Sequence, residues 1–278
     1  MYVKFYILMK LDPNPILNYF APKNRFIGVL SIPHSGETIP KDIAPYLIED
    51  FNHLAQDADW RVHELVDIEA LTEAGIAVVY SNIIRTAIDL NRSRDMALLN
   101  WKENSKGVKV VKDIPSSELA HTLLGKYYDP YFEVIRTLME ELKNFTEQPN
   151  FIDLHSMPSR AEEYHLKKNP NQKIERPDFC LSDQKGITCN EKFIEFYQQK
   201  LKENYPEVTI NDPYVGGHIT QYVDQTYPTG DNIQIEISRA IYMDELTKEM
   251  KRPLTDKLKP ILTQCLIEGF EKFFRPKY

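Results

Sequence analysis

The fold is decided by residues 26–40, FIGVLSIPHSGETIP. The run 26–32 is apolar and stops at Pro33, which predicts a strand buried on both faces of a parallel sheet. His34 follows at the carboxyl end of that strand, where open α/β sheets bind their ligands. Glu37 comes three residues later, and Gly36 between them lets an imidazole and a carboxylate face one point, as a zinc ion requires. The segment therefore suggests a metal site, with a solvated polar turn as the alternative.

Amino-acid composition indicates a self-folding globular chain. Of 278 residues, 42% are hydrophobic and 27% charged, which argues against disordered and fibrous classes. The formal charge of −7 argues against nucleic acid as a partner, because phosphate neutralisation needs clustered Lys and Arg. Cys180, Cys189 and Cys265 form no Cys-x-x-Cys pair, so we expect a reducing cytoplasm, without a disulfide framework or a thiolate zinc site. No stretch approaches the ~20 apolar residues that span a bilayer, so no membrane partner is expected. Oligomeric state stays open.

Alternating strand and helix patterns predict an α/β fold. Further apolar runs predict strands at 76–80, 151–156, 208–210 and 233–238. Apolar residues at helical spacing predict helices at 57–75, 118–142, 190–204 and 244–274, the first capped by Asp57 and the last broken at Pro253 and Pro260. We expect one catalytic domain over 25–278, on which residues 1–24 pack as an extension. A long polar connection around Trp101 is expected to cover a cleft.

The loop that follows the strand at 76–80 is rich in arginine. Arg85, Asn91 and Arg92 lie within eight residues. Arginine forks bind carboxylates bidentately and an asparagine amide can donate to the same oxygens, so the loop suits an anionic substrate. The alternative is a surface loop whose arginines pair with Asp89 and Asp95.

Two later strands also carry polar residues that suggest chemistry. His155 stands near the end of the strand at 151–156 and is the third predicted metal ligand. Asp153 is placed either to orient a ligand or to stiffen the strand end. Glu236 lies among three isoleucines, where a carboxylate is either costly or functional.

Five sequence blocks in this order resemble the N-formylglutamate amidohydrolase family. They are PHSGETIP at 33–40, DLNR at 89–92, DLHS at 153–156, GGHI at 216–219 and QIEISR at 234–239. That family looks related to zinc carboxypeptidases and aspartoacylases. The resemblance covers the chain from about residue 24, and it implies a three-layer α/β/α sandwich around a mixed, mostly parallel sheet, as in zinc exopeptidases.

The resemblance also implies a role for each candidate residue. His34, Glu37 and His155 match the ligands of one zinc ion per chain, Glu236 matches the general base, and Asn91 and Arg92 match the carboxylate clamp. His218 and Arg239 are further candidate substrate-binding residues. Zinc would lower the pKa of a water to roughly 7, and Arg85 would hold the oxyanion. Family members vary at the positions of Glu37 and His218, so the ligand set and the substrate stay open.

The expected reaction is hydrolysis of an N-acyl amino acid, with N-formyl-L-glutamate as the first candidate substrate, giving glutamate and formate. Formyl, acetyl and succinyl amides would all suit this chemistry. Two alternatives are a carboxypeptidase or peptidoglycan amidase on the same scaffold, and a binding module without metal. Elemental analysis combined with a screen of N-acyl amino acids against short peptides separates these classes.

Overall fold

The computed structural model describes residues 17–98, 103–104 and 106–277. Within these ranges, seven strands form one mixed sheet in the order β1-β3-β2-β4-β7-β5-β6. The strands are β1 Leu17–Phe20, β2 Gly28–Ile32, β3 Ile76–Ser81, β4 Phe151–Met157, β5 Phe179–Ser182, β6 Val208–Ile210 and β7 Asn232–Ser238. Strands β3, β2, β4 and β7 are parallel neighbours, so their carboxyl ends share one edge of the sheet. The predicted α/β fold with a mixed sheet is confirmed.

Helices cover both faces of this sheet. They are α1 Phe51–Leu54, α2 Ile68–Ala74, α3 Ser117–Leu123, α4 Asp129–Leu142, α5 Glu163–Lys168, α6 Glu191–Lys202, α7 His218–Thr226 and α8 Arg252–Phe273. Tyr131 of α4 contacts the Ser31 hydroxyl at 2.8 Å, whereas Phe270 of α8 packs so closely on Gly28 that a Cβ there would lie 2.1 Å from its ring. Gly28 and Ser31 point to opposite faces of β2 because side chains alternate along a strand. Helices α4 and α8 therefore form the two outer layers.

The N-terminal extension contributes an edge strand. Strand β1 pairs antiparallel with β3, which extends the sheet by one strand. Residues 1–16 and Trp101 lie outside the described ranges.

Two predicted helices differ from the structure. Helix α8 continues through Pro260, and Pro253 lies in its first turn. An interior proline costs about 3 kcal/mol, but Leu258, Leu262 and Leu266 are fully buried on this helix, and such packing supplies most helical stability in proteins.

The predicted helix over 57–75 begins much later than expected. Residues Ala55–Asp57 and Val62–Leu65 form short 3-10 turns, and α2 is capped by Asp67, which accepts from the Ala70 N–H at 3.1 Å. Arg61 has φ 53°, a left-handed conformation that a helix cannot contain. Residues 58–61 are therefore irregular, and they bring an unexpected carboxylate into the site.

Candidate active site

A row of polar side chains crosses the sheet face beneath α4. Ser31 pairs with Asp153, Asp153 with Gln234, and His155 with Glu236, in register across β2, β4 and β7. All five are buried. Burying polar groups in the middle of a sheet costs free energy unless they are paired. The hydrogen-bond and ion-pair partners of these five residues therefore show how the site is built.

Three buried residues on different segments form a group that could hold a metal ion: His34, Asp59 and His155. Their ligand atoms all lie within 4.8 Å of one another. Asp59 Oδ2 lies 2.9 Å from His155 Nδ1 and 3.6 Å from His34 Nδ1. Burial alone would raise the pKa of the Asp59 carboxyl, but the neighbouring His155 and His34 lower it, so the group carries an ionised carboxylate.

Each histidine of this group is backed by a second carboxylate. His34 Nε2 lies 2.9 Å from Asp89 Oδ1, and His155 Nε2 lies 2.8 Å from Asp153 Oδ2. A carboxylate on the far nitrogen fixes the ring orientation and makes the other nitrogen a better metal ligand. In both rings the nitrogen that faces Asp59 is Nδ1.

The group fits a divalent cation in a further respect. His34 Nδ1 and Asp59 Oδ1 are buried and have no hydrogen-bond partner among the described residues. Each atom has only a more distant charged neighbour, Arg239 Nη2 at 3.5 Å from Asp59 Oδ1 and Asp59 Oδ2 at 3.6 Å from His34 Nδ1. A cation between the two atoms would give both a direct contact. Two imidazoles and one carboxylate also form a donor set that zinc uses in catalytic sites.

Glu37 lies outside this group, although the sequence predicted it as a metal ligand. Its Oε1 accepts from Arg61 Nε at 2.9 Å, and the two side chains are 30% and 42% exposed. The loop is fixed in this path because Gly36 lies against Asn82, whose carbonyl carbon would be 1.8 Å from an added Cβ. The carboxylate beside His34 and His155 is that of Asp59.

Sequence reasoning missed Asp59 because it placed residues 57–75 on a helix. On a helix, Asp59 would have been one of several acidic residues of a solvated first turn. The left-handed Arg61 and the irregular segment before it turn the carboxylate inward instead. The backbone N–H of Asp59 donates to His34 O at 3.1 Å, which ties the two ligand segments together. No sequence signal in this segment pointed to that contact.

Glu236 lies on the strand next to His155 at the same register. Gln234 Nε2 donates to its Oε1 at 2.7 Å. Burial raises the pKa of Glu236 to about 7, and the charge of Asp59 acts in the same direction. A carboxyl group of this basicity can both accept and donate a proton near neutral pH.

The arginine loop converges on one buried carboxylate. Asp89 Oδ2 lies 3.2 Å from Arg85 Nε and 3.5 Å from Arg92 Nε, while Asp89 Oδ1 faces His34. The pairing with Asp89 that was weighed as an alternative is therefore present. Asp95 instead accepts from the Ser93 hydroxyl at 2.6 Å. The Arg92 side chain is 52% exposed, so a solvent-borne ligand can reach it.

The Asn91 side chain makes its hydrogen bonds within the protein. Its Oδ1 accepts from the Ile219 N–H at 2.9 Å and its Nδ2 donates to Gln234 Oε1 at 3.3 Å. Gly217 lies so close that an added Cβ would be 2.2 Å from Asn91 Nδ2. The side chain thus anchors the turn before α7, whereas the sequence predicted that it would donate to a substrate carboxylate.

His218 and Arg239, the two remaining predicted substrate-binding residues, differ in their exposure to solvent. His218 begins α7, is partly exposed, and lies 5.8 Å from Phe132 between ring centroids. Arg239 is buried and donates to Ala58 O at 2.8 Å and Ser156 Oγ at 3.2 Å. Its Nη2 is 3.5 Å from Asp59 Oδ1. Arg239 therefore supports the segment that carries Asp59.

Comparisons with known proteins agree with this fold. The family model described as N-formylglutamate amidohydrolase matches residues 28–243. An N-formylglutamate deformylase from Pseudomonas aeruginosa is 27% identical over 266 residues, which cover 90% of this chain and 94% of that protein.

Two solved structures share the fold. An N-formylglutamate amidohydrolase from Ralstonia eutropha JMP134 superposes with a TM-score of 0.81 at 22% identity, covering 92% of this chain and 98% of that one. The gene product Atu2144 from Agrobacterium tumefaciens superposes with a TM-score of 0.64 at 13% identity, over 92% and 95% of the chains. None of the helices in the described ranges has the length and apolar character to cross a bilayer.

Proposed function

Because this chain belongs to the N-formylglutamate amidohydrolase family, we propose that it hydrolyses N-formyl-L-glutamate to L-glutamate and formate. The observation that carries the proposal is the buried His34–Asp59–His155 group, with Glu236 beside it on the neighbouring strand. The P. aeruginosa relative is named for the same deformylation.

We assign one zinc ion to the three residues of that group. When bound there, zinc would polarise the formyl carbonyl and lower the pKa of a water molecule. The support for this assignment is the donor set, the carboxylate behind each imidazole, and the buried His34 Nδ1 and Asp59 Oδ1 atoms, which make no hydrogen bond to a described residue.

Glu236 would move the protons of the reaction. It takes a proton from the attacking water as oxygen bonds to the formyl carbon, and it returns a proton to the amide nitrogen as the C–N bond breaks. A pKa of about 7 suits both transfers. Gln234 keeps the carboxylate oriented through its hydrogen bond to Oε1.

Two arginines would bind the charged parts of the substrate. Arg85 is partly buried and carries a permanent charge next to Asp89, so it would compensate the negative charge that develops on the carbonyl oxygen. Arg92 is more exposed and would bind the α-carboxylate. Asp89 contacts both guanidinium groups and His34. It therefore fixes the positions of the two arginines relative to the His34–Asp59–His155 group.

The proposal is tested by elemental analysis and a formate-release assay on the purified protein. We expect one zinc per chain and activity on N-formyl-L-glutamate that exceeds activity on N-acetyl-L-glutamate, N-succinyl-L-glutamate and short peptides. The Glu236→Gln variant serves as the inactive control with intact metal. Faster cleavage of peptides than of N-formyl amino acids would replace this function with a carboxypeptidase activity.

A further inference from the structure

Arg176 is a partly buried arginine that forms no ion pair with a carboxylate of the described residues. Its Nε and Nη2 atoms are buried and make no hydrogen bond to any described residue. The other described arginines that are partly or fully buried each have a carboxylate within 3.5 Å, and they are Arg61, Arg85, Arg94 and Arg239. A guanidinium removed from water without an anion is costly. Arg176 is therefore suited to an anion that arrives from outside the chain.

The position of Arg176 is at the active-site edge of the sheet. It precedes β5, whose first residue Phe179 pairs with Ile237 near the carboxyl end of β7. The Arg176 N–H donates to Ser159 O at 3.0 Å, just beyond the end of β4. Both contacts place Arg176 beside the strand ends that carry the metal group and the general base.

Tyr214 aligns the guanidinium. Arg176 Nη1 donates to Tyr214 Oη at 2.5 Å, and the guanidinium carbon lies 5.0 Å from the centre of the Tyr214 ring. This contact uses one guanidinium nitrogen and leaves Nε and Nη2, the edge that binds a carboxylate bidentately.

His165 completes the hydrogen bonding around the tyrosine. Burial and the charge of Arg176 lower the pKa of His165 to about 4, so the ring is neutral at pH 7. Its Nδ1 accepts from the Glu162 N–H at 3.1 Å, which leaves the proton on Nε2, 3.4 Å from Tyr214 Oη. The tyrosine oxygen thus accepts from both neighbours, and its own proton is available for a ligand.

Tyr214 also lies close to the general base. Its carbonyl oxygen accepts from Ser182 Oγ at 2.8 Å and from Cys180 Sγ at 3.5 Å. Cys180 pairs directly with Glu236 across β5 and β7. Burial and the negative charge of Glu236 raise the pKa of Tyr214 to about 12. A substrate whose amide lies at Glu236 therefore has Tyr214 and Arg176 on one flank.

The geometry points to Arg176, aligned by Tyr214, as the binding residue for the side-chain carboxylate of an N-formyl dicarboxylic amino acid. In the sheet order, the Arg92 loop follows β3 and Arg176 precedes β5, so β2, β4 and β7 lie between them. Two guanidinium groups on opposite flanks of the His34–Asp59–His155 group would each bind one of the two carboxylates of glutamate. This inference rests on the proposed deformylase function and adds to it the residue that selects an acidic side chain.

The test compares N-formyl-L-glutamate with N-formyl-L-glutamine, which has the same shape but a neutral side chain. Steady-state kinetics are measured for the zinc-loaded wild type, Arg176→Met, Arg176→Lys and Arg160→Met. Arg160 is an exposed arginine paired with Glu175, so its variant controls for loss of one positive charge at the same edge. Circular dichroism and thermal unfolding show whether each variant is folded.

Arg176→Met removes charge-assisted hydrogen bonds to the substrate, so its kcat/KM for N-formyl-L-glutamate should be about tenfold to a hundredfold lower than that of the wild type. The glutamine substrate should change by less than about threefold, and Arg160→Met should match the wild type on both. Arg176→Lys should fall between, because it keeps the charge and loses the fork. Equal losses on both substrates, or no loss on either, would overturn the inference.

Failure of the proposed deformylase function can be distinguished from failure of the inference about Arg176. If the wild type hydrolyses neither substrate, the deformylase proposal fails, and calorimetric titration of the same two compounds still decides the role of Arg176. Preferential binding of N-formyl-L-glutamate that is lost in Arg176→Met would support the inference. Equal affinity for both compounds in the wild type would refute it.

Discussion

Asp59 and Glu37 offer a decisive comparison, because both are carboxylates near His34 and only Asp59 belongs to the group that could hold a metal ion. Asp59 is buried and its Oδ2 lies 2.9 Å from His155 Nδ1, whereas Glu37 is partly exposed and paired with Arg61. We predict that Asp59→Asn loses zinc and that Glu37→Gln keeps it.

The two substitutions should differ widely in their effects, because one changes zinc affinity and the other only the stability of the fold. Residues that only orient a metal ligand cost about 10-fold to 100-fold in metal affinity when replaced, so loss of the Asp59 carboxylate should cost more than about 100-fold, or about 2.7 kcal/mol. Glu37→Gln removes a partly exposed ion pair, which contributes only about 0.2 to 1 kcal/mol to stability.

Zinc affinity is measured by competition with a chelating dye, and zinc content by elemental analysis after gel filtration. Thermal unfolding of the metal-free proteins separates metal loss from misfolding. The reasoning is refuted if Glu37→Gln loses zinc while Asp59→Asn retains it, since the metal would then be held by a loop conformation different from this one.

Three further predictions follow from the site and the core. Glu236→Gln should retain zinc and lower kcat by about 10²-fold to 10⁴-fold in the formate assay; loss of zinc would instead make Glu236 a ligand. Arg92→Ala should lower kcat/KM for N-formyl-L-glutamate by about one to two orders of magnitude, with no loss on the α-amide; equal losses would limit its role to the contact with Asp89. Gly28→Ala should lower the free energy of unfolding in urea by about 1 to 3 kcal/mol, because its Cβ would overlap the Phe270 ring; an unchanged midpoint would contradict that packing.

The strand positions and the meeting of His34 with His155 were predictable because they depend on local patterns. Continuous apolar runs at 26–32 and 151–156 mark strands buried on both faces, and the structure contains β2 and β4 there. Parallel strands end at one edge of the sheet, so His34 and His155 were expected to meet. The family resemblance seen in the five blocks is confirmed by the match over residues 28–243.

The carboxylate that lies beside both histidines was not predictable in the same way. Glu37 was favoured because it is near His34 in sequence, but its carboxylate pairs with Arg61. Asp59 comes from a segment whose apolar spacing predicted a helix. A contact between residues distant in sequence depends on the path of the whole loop, which helical spacing does not encode.

Asn91 and Arg176 show the same limit for polar side chains. Both could have bound a carboxylate on the basis of residue type, but Asn91 is used to anchor the turn at Ile219, while two nitrogens of Arg176 have no partner among the described residues. Residue type states what a side chain can bind, and only the packed structure shows which donors are already used.

The sequence by itself determined the α/β class, most strands of the sheet, the histidines that meet at its edge and the family. These follow from apolar periodicity and from short motifs, which act within a few residues. Tertiary structure alone decided that Asp59 lies beside His34 and His155, that burial raises the pKa of Glu236 to about 7, and that Nε and Nη2 of Arg176 are buried without a hydrogen bond to a described residue. Each of these properties arises from burial beside residues far away in sequence, because desolvation and hydrogen bonding are settled only when the segments pack together.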